Sequence, residues 1–282
     1  MLIINKFKIL LNALAGYCIK FKIDVFGIGN IKHLPSSTDN QIIVSLTSYG
    51  RRVKSVVYYT LVSLLKQIEK PSKIILWLDD SWNDNSIPKK LKSLIKYGVE
   101  IRYCEDIRSY KKLIPTLKEF PKNIIVTVDD DVIYNKHLIK SLMDGYRNNG
   151  RIQCTIGSIP KLNKGFFSPY NTWTEIRHFY AGDYMVPIGV GGVLYPPDSL
   201  DKEVLNIEAF IKLAPNADDL WFWYMAKKKG SLHSCIDFSH DNYSFDAFYQ
   251  HFHNGSALTH KNAGEGMNDI QLNNIMNHYK EC

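Results

Sequence analysis

Asn123-Ile124-Ile125-Val126-Thr127-Val128-Asp129-Asp130-Asp131-Val132 is a short apolar run that ends on three carboxylates. Its length and its β-branched side chains point to a strand buried on both faces rather than to a helix. Strands of that kind belong to parallel sheets covered by helices. The pattern recurs upstream: residues 41–47 run into Ser48-Tyr49-Gly50, residues 73–78 close on Asp79-Asp80, and residues 99–103 give a third strand. Between them, residues 53–67, 88–97 and 109–120 carry apolar side chains at helical spacing. The alternation predicts an α/β fold with a mostly parallel sheet and helices on both faces. Ligands in such folds bind beyond the carboxyl ends of the strands, where the polar and acidic residues of this chain fall.

Three adjacent carboxylates repel one another unless a cation sits among them. Strand alternation would set Asp129 and Asp131 on one side, two residues apart. Hard oxygen ligands suit Mn²⁺ or Mg²⁺, ions that keep several waters and grip a substrate diphosphate. An acidic turn capping the following helix is the plainer alternative.

The order of motifs around the triplet resembles that of the GT-A glycosyltransferases, most closely the exostosin-like (GT64-type) catalytic domain, with kinship to the GT2 family. Thr47-Ser48-Tyr49-Gly50-Arg51 is similar to a first-strand segment that contacts the nucleotide in that family. Residues 73–80 resemble its second strand, with Asp79 and Asp80 where the family has two asparagines at the base-binding pocket. Val128-Asp129-Asp130-Asp131 matches its metal-binding DXD motif. Met185-Val186-Pro187-Ile188-Gly189 resembles its acceptor-side segment, and Asn216-Ala217-Asp218-Asp219-Leu220 resembles its N-C-D-D-I segment.

The resemblance implies a GT-A fold and a metal-dependent glycosyltransferase of the hexosyltransferase class. Its donor would be a nucleotide-diphosphate sugar, UDP-linked by preference, and its acceptor a glycan or lipid-linked glycan of a cell-surface polysaccharide. Asp131 would ligate the metal, Asp129 would reach the ribose or share the metal shell, and Asp130 completes the motif. Asp219, with Asp218 beside it, would lie near the reacting sugar, as general base in an inverting reaction or as an acceptor-orienting group in a retaining one. Helix capping is the plainer role for this pair. A departing diphosphate needs positive charge, for which Lys111, Lys112, Arg51 and Arg52 are candidates, although each could be a surface charge. In many such enzymes a C-terminal histidine completes the metal shell. His251-Phe252-His253 and His260 supply candidates, His253 foremost, against the ordinary reading of surface or core histidines. The segment Pro187-Ile188-Gly189-Val190-Gly191-Gly192-Val193 lacks a dinucleotide fingerprint and reads as a tight backbone approach or a glycine turn.

A chain of 282 residues that is 45% hydrophobic can bury one large core without staples. The expected organisation is a basic amphipathic segment and linker over residues 1–40, then a GT-A domain over 41–282. Residues 41–153 would form its nucleotide-sugar half and 154–282 its acceptor half. The net charge of +7 comes with no dense basic stripe, which excludes nucleic acid as the expected partner. Five scattered cysteines form no pair motif and suit a reducing cytoplasm. Around Ile9–Ile19, the flanking Lys6, Lys8, Lys20 and Lys22 suit a helix resting on the inner face of the cell membrane, an ordinary packed helix, or a short cleaved signal. Two rival functions remain: a metal-dependent phosphohydrolase or phosphotransferase, and a catalytically silent carbohydrate-binding protein. Trp173, Trp221 and Trp223 would stack on sugars in the latter, or fill the core.

Overall fold

The structure is a computed structural model that describes residues 2–35, 42–163, 166–182, 184–239, 242–244 and 266–279. Four parallel strands form the first half of its main sheet: β1 (Ile42–Thr47), β2 (Lys73–Asp79), β3 (Val99–Cys104) and β4 (Ile124–Thr127). Eight strands lie in the order β3, β2, β1, β4, Val193–Tyr195, Ile152–Cys154, His233–Cys235 and Tyr180–Ala181. The strand Val193–Tyr195 runs antiparallel to both its neighbours, and Tyr180–Ala181 is antiparallel to His233–Cys235. His233–Cys235 is parallel to Ile152–Cys154. The sheet is therefore mostly parallel, as the sequence predicts.

β1 and β4 lie side by side in the register Ser45 to Thr127, yet β1 is followed by β2 and β3 on its other flank. Strand order reverses between β1 and β4, and their carboxyl ends open the crevice there. Thr47-Ser48-Tyr49 and Asp129-Asp130-Asp131 lie at that point.

The strands are apolar on both sides because each face of the sheet carries its own core. One core packs β1, β2 and β4 against the helices α1 (Leu2–Phe26), α2 (Arg51–Ser55), α3 (Val57–Leu65) and Leu138–Asn149. The other gathers around the helix Asp218–Lys229, whose residues from Leu220 to Ala226 are all buried. Trp221 and Trp223 are fully enclosed there and Trp173 nearly so, so all three fill the core rather than face a sugar.

The helices differ from expectation in one informative way. The predicted helix 109–120 is two pieces: a 3-10 turn, Arg108–Lys112, and a short helix, Ile114–Glu119. Pro115 has no N–H to donate to the preceding turn, so an α-helix can begin at it but cannot run through it. The expected helix 53–67 is likewise broken at Val56, between α2 and α3. The expected helix 88–97 reduces to Lys89–Lys92 and a 3-10 turn Ile95–Tyr97. Among the described residues no helix is long and apolar enough to cross a membrane.

Gly98 turns the chain into β3 at φ +103, and a Cβ there would lie 2.9 Å from the Cβ of Leu34. Gly98→Ala is therefore expected to lower the unfolding free energy by about 1–2 kcal/mol from the left-handed backbone, with the clash added to it, read as a lower urea midpoint. Ligand-binding behaviour at the far ends of β1 and β4 should stay unchanged.

Candidate active site

β4 ends at Thr127, so Asp129, Asp130 and Asp131 lie in the turn before the short strand Val132–Ile133. Strand alternation no longer governs them, and the triplet divides differently from expectation. Asp130 turns inward and is only 5% exposed at its side chain. It accepts hydrogen bonds from Ser48 Oγ at 2.5 Å and from Arg52 at 2.8 Å, while Thr60 Oγ1 donates to its backbone carbonyl at 2.8 Å. Arg52 reaches Asp131 as well, at 3.0 Å. One guanidinium thus ties two adjacent carboxylates to the start of α2, a geometry that its planar fork permits. Desolvation raises the Asp130 carboxyl above its ordinary value, against the opposing pull of Arg52 and Ser48.

Asp129 faces the other way and is one-third exposed. Its backbone N–H donates to the buried Tyr134 hydroxyl at 2.9 Å, and that hydroxyl donates in turn to the carbonyl of Val190 at 3.1 Å. Its carboxylate lies 3.4 Å from Lys112 Nζ. The same ammonium is 2.8 Å from Asp218 and 3.3 Å from Asp219. Lys112 is buried, so three carboxylates from two distant segments converge on one desolvated cation. Burial would pull its pKa down, but Asp218, Asp219 and Asp129 together hold it well above the ordinary value.

Asp218 and Asp219 open the helix Asp218–Lys229, whose amino end favours negative charge. Neither caps it: the N-cap is Ala217, with no side-chain bond. Asp218 accepts from Ser109 Oγ at 2.9 Å, and Asp219 accepts from the backbone N–H of Gly189 at 2.9 Å. The glycine segment has its reason here. A Cβ on Gly189 would stand 2.6 Å from Lys112 Nζ and 2.8 Å from Asp219 Oδ1. Desolvation raises the Asp219 carboxyl to about 6; Asp218 and Asp129 add to that rise, while Lys112 and the Gly189 N–H oppose it.

The remaining sequence candidates sit apart from this cluster. Lys111 points to the end of β2, paired with Asp106 and 3.8 Å from Asp79. Thr47 donates its hydroxyl to the carbonyl of Trp77 within the sheet, at 2.9 Å. Tyr49 is exposed, with the Arg52 guanidinium 5.5 Å from its ring centre. Arg51 and Asp80 lie exposed at the surface, at the start of α2 and just past β2. His251, His253 and His260 fall outside the described residues. Sequence reasoning overlooked Ser48, Ser109 and Tyr134 and favoured Arg51, whereas Arg52 is the arginine that meets Asp130 and Asp131. Serines and a tyrosine carry no distinctive pattern, and two adjacent arginines look alike until the turn of α2 points one inward.

Among the described residues, no group of three or more His, Cys, Asp or Glu side chains is already arranged to hold a metal. Among the described contacts, Arg52 pairs with Asp130 and Asp131, and Lys112 with Asp129, Asp218 and Asp219. Asp129 and Asp131 carry hard oxygen donors of the type that Mn²⁺ or Mg²⁺ takes.

No protein-family model matches the sequence, and no curated protein matches it. Solved structures do. TarS 1–349 of S. aureus, in complex with UDP-GlcNAc, is similar over 84% of this chain and 67% of that one, at 14% identity and a TM-score of 0.50. The UDP-glucose pyrophosphorylase from Acinetobacter baumanii is similar more loosely, over 83% of this chain and 98% of that one, at 11% identity and a TM-score of 0.47. The same holds for CMP:2-keto-3-deoxy-manno-octonic acid synthetase complexed with CTP, with 76% and 97% covered, 10% identity and a TM-score of 0.46. The likeness to TarS shows a shared fold. The GT-A type of α/β architecture expected from the sequence is the one this chain adopts.

Lys112→Met would leave three carboxylates around an apolar tip, and breaking a buried pair of this kind costs about 3–5 kcal/mol near neutral pH. The loss should shrink in acid. The folded value of Asp219 lies above its ordinary one, so the native state keeps a proton there that the unfolded chain has released. This group's contribution is therefore largest below about pH 4 and is lost as pH rises through about 6. Chemical denaturation of both proteins with chelator present, at pH 5 and pH 7.5, should show the smaller gap at the lower pH. An equal gap at both would separate the stability defect from the carboxylates.

Proposed function

We propose that this chain is a metal-dependent glycosyltransferase that moves a sugar from a nucleotide-diphosphate sugar, UDP-linked, to a hydroxyl of a glycan acceptor. The observation that carries the reading is the meeting of Asp129, from the end of β4, with Asp218 and Asp219 on the buried ammonium of Lys112. Donor-side and acceptor-side acids are joined at the point where strand order reverses, which is where an α/β sheet binds its ligand. The motif order supports an exostosin-like or GT2-like relationship, and the complex of TarS with UDP-GlcNAc supports a UDP-sugar donor on this fold. Residues 41–153 would bind the donor, residues 154–282 the acceptor, and residues 1–40 would form the separate amphipathic segment.

Asp129 and Asp131 would hold the divalent ion, whose charge, once bound, stabilises the departing diphosphate. Asp130 is committed to Ser48 and Arg52, and its part is to fix the turn that presents its two neighbours. Asp219 would act as general base. It is held by the Gly189 N–H, is partly open to solvent, and has a carboxyl raised to about 6, a value suited to proton transfer near neutral pH. In the inverting reaction it takes the proton of the acceptor hydroxyl as that oxygen bonds the anomeric carbon. The bond from that carbon to the diphosphate oxygen breaks, and its electron pair leaves with the nucleotide. Lys112 would keep Asp219 oriented and favour its ionised form until it takes that proton. Lys111, with Asp79 and Asp106, would flank the nucleobase end of the crevice.

Thermal melting with and without Mn²⁺, across UDP, GDP, CMP and dTDP, is the direct test. A rise that needs both the metal and UDP is expected, since ligands that prefer the folded state stabilise it. Asp131→Asn should abolish the metal-dependent rise. Asp219→Asn should keep it and lose about 10²–10⁴-fold in transfer, the usual share of a general base. A chain that melts identically with every nucleotide, or an Asp131→Asn variant that still transfers at full rate, would refute the proposal. Phosphate release from simple esters would favour the phosphohydrolase instead.

A further inference from the structure

Away from the carboxylates, one long face of α1 is uncovered among the described residues. Leu11, Leu14, Cys18, Phe21 and Val25 recur at alternating spacings of three and four and all are exposed. Phe21 is 64% exposed, and Phe26, at the end of the helix, 79%. The opposite face is the one that folds onto the domain: Gly16 and Ile23 are buried, and Ile19 packs against the core. A contiguous apolar stripe of this kind on a surface helix marks a contact with something apolar.

The surroundings state its charge. Beside the stripe, Lys22 and Lys66 border an apolar groove of about 560 Å³ lined also by Ile19, Ile23 and Phe26. Lys32 and Lys70 lie close enough to each other for Lys32, after burial, to depress the Lys70 pKa. Ile68, between Lys66 and Lys70, is half exposed. Two nearby acids are paired: Asp24 with Lys20, Lys90 and Tyr59, and Glu69 with Arg147. The sequence of α1 adds Lys6 and Lys8 and no further acid.

We infer that α1 and the lysines around its groove form a docking surface for an anionic phospholipid bilayer. A basic rim around an apolar helix face complements lipid headgroups outside and acyl chains beneath. A second copy of this chain seated on the same face would set lysine against lysine. No covalent step is involved, and α1 lies in the plane of the surface. Its anchorage connects that plane to the crevice: Asp24 accepts from Tyr59 on α3 at 2.7 Å, and the next residue, Thr60, donates to Asp130 at 2.8 Å. The carboxylate site is thereby held at a fixed height over the bilayer, where the head of a lipid-linked acceptor would be presented.

Flotation of the full chain with phosphatidylcholine vesicles, with and without phosphatidylglycerol, tests this without donor, metal or turnover. The chain should float with the phosphatidylglycerol vesicles, at least about tenfold more than with phosphatidylcholine alone, and be released by high salt. The exposed pair Phe21→Ser with Val25→Ser, and separately Lys22→Glu with Lys66→Glu, should each cut binding at least about tenfold while melting stays near wild type. Salt release of the wild-type chain needs no variant and stands even where one fails to fold. Absence of flotation, equal flotation with neutral vesicles, or wild-type binding by either folded double variant overturns the inference. So does a dimer, by light scattering, that Phe21→Ser with Val25→Ser dissolves.

Discussion

A lysine ammonium removed from water is unstable unless anions surround it, and Lys112 is surrounded by three. That one constraint draws together the turn after β4, the 3-10 turn before the helix at Ile114 and the amino end of the helix Asp218–Lys229. Each contributes charge that would be costly to bury alone. The glycine at 189 follows from the same demand, because any side chain would occupy the space in which Lys112 and Asp219 meet. Breaking the expected helix at Pro115 is what makes the arrangement possible. An unbroken helix would set Lys111 and Lys112 about 100° apart on one exposed cylinder; the 3-10 turn buries both and sends them to different acids.

A second cation, the partly buried Arg52, repeats the logic just past the end of β1, with a different outcome. Lys112 holds its partners at 2.8 to 3.4 Å and leaves Asp129 and Asp219 partly open. Arg52 grips Asp130 and Asp131 at 2.8 and 3.0 Å, with Ser48 and Thr60 completing the shell around Asp130. The shell around Asp130 belongs to the scaffold, while Asp129 and Asp219, partly open to solvent, are acids that an incoming ligand can reach. Rigid support beneath adjustable acids is what a site needs if its polar groups are to be positioned before substrate arrives.

The sheet was legible because apolar runs of six or seven residues, closed by polar ones, have few other stable uses. The four strands agree with their expected bounds to within a residue or so, from Ile42 to Thr127. The helices were less legible, since apolar spacing reports a buried face and is indifferent to a break within it, as at Val56 and Leu113. The acids of the site were legible as carboxylates that needed an explanation, but their partition was not. Alternation assigned Asp129 and Asp131 to one side on the assumption of a strand that stops at Thr127. Trp221 and Trp223 show the converse limit, since a tryptophan next to an acidic pair reads equally as a sugar platform and as core until burial is known.

The crowding of three carboxylates around Lys112 also bears on which state of the site is the stable one. With no ligand, repulsion and desolvation are relieved by raising the Asp219 carboxyl to about 6, so that a fraction of molecules hold a proton there near neutral pH. A proton and a divalent cation are then alternative ways of balancing the same charge. Added positive charge near Asp129 would cancel the part of that rise which Asp129 causes, and leave Asp219 more fully ionised. If Asp219 is the base of the proposed transfer, it would gain charge as a counter-ion bound near Asp129. This coupling requires no moving part, only the shared ammonium of Lys112 between the two sets of acids.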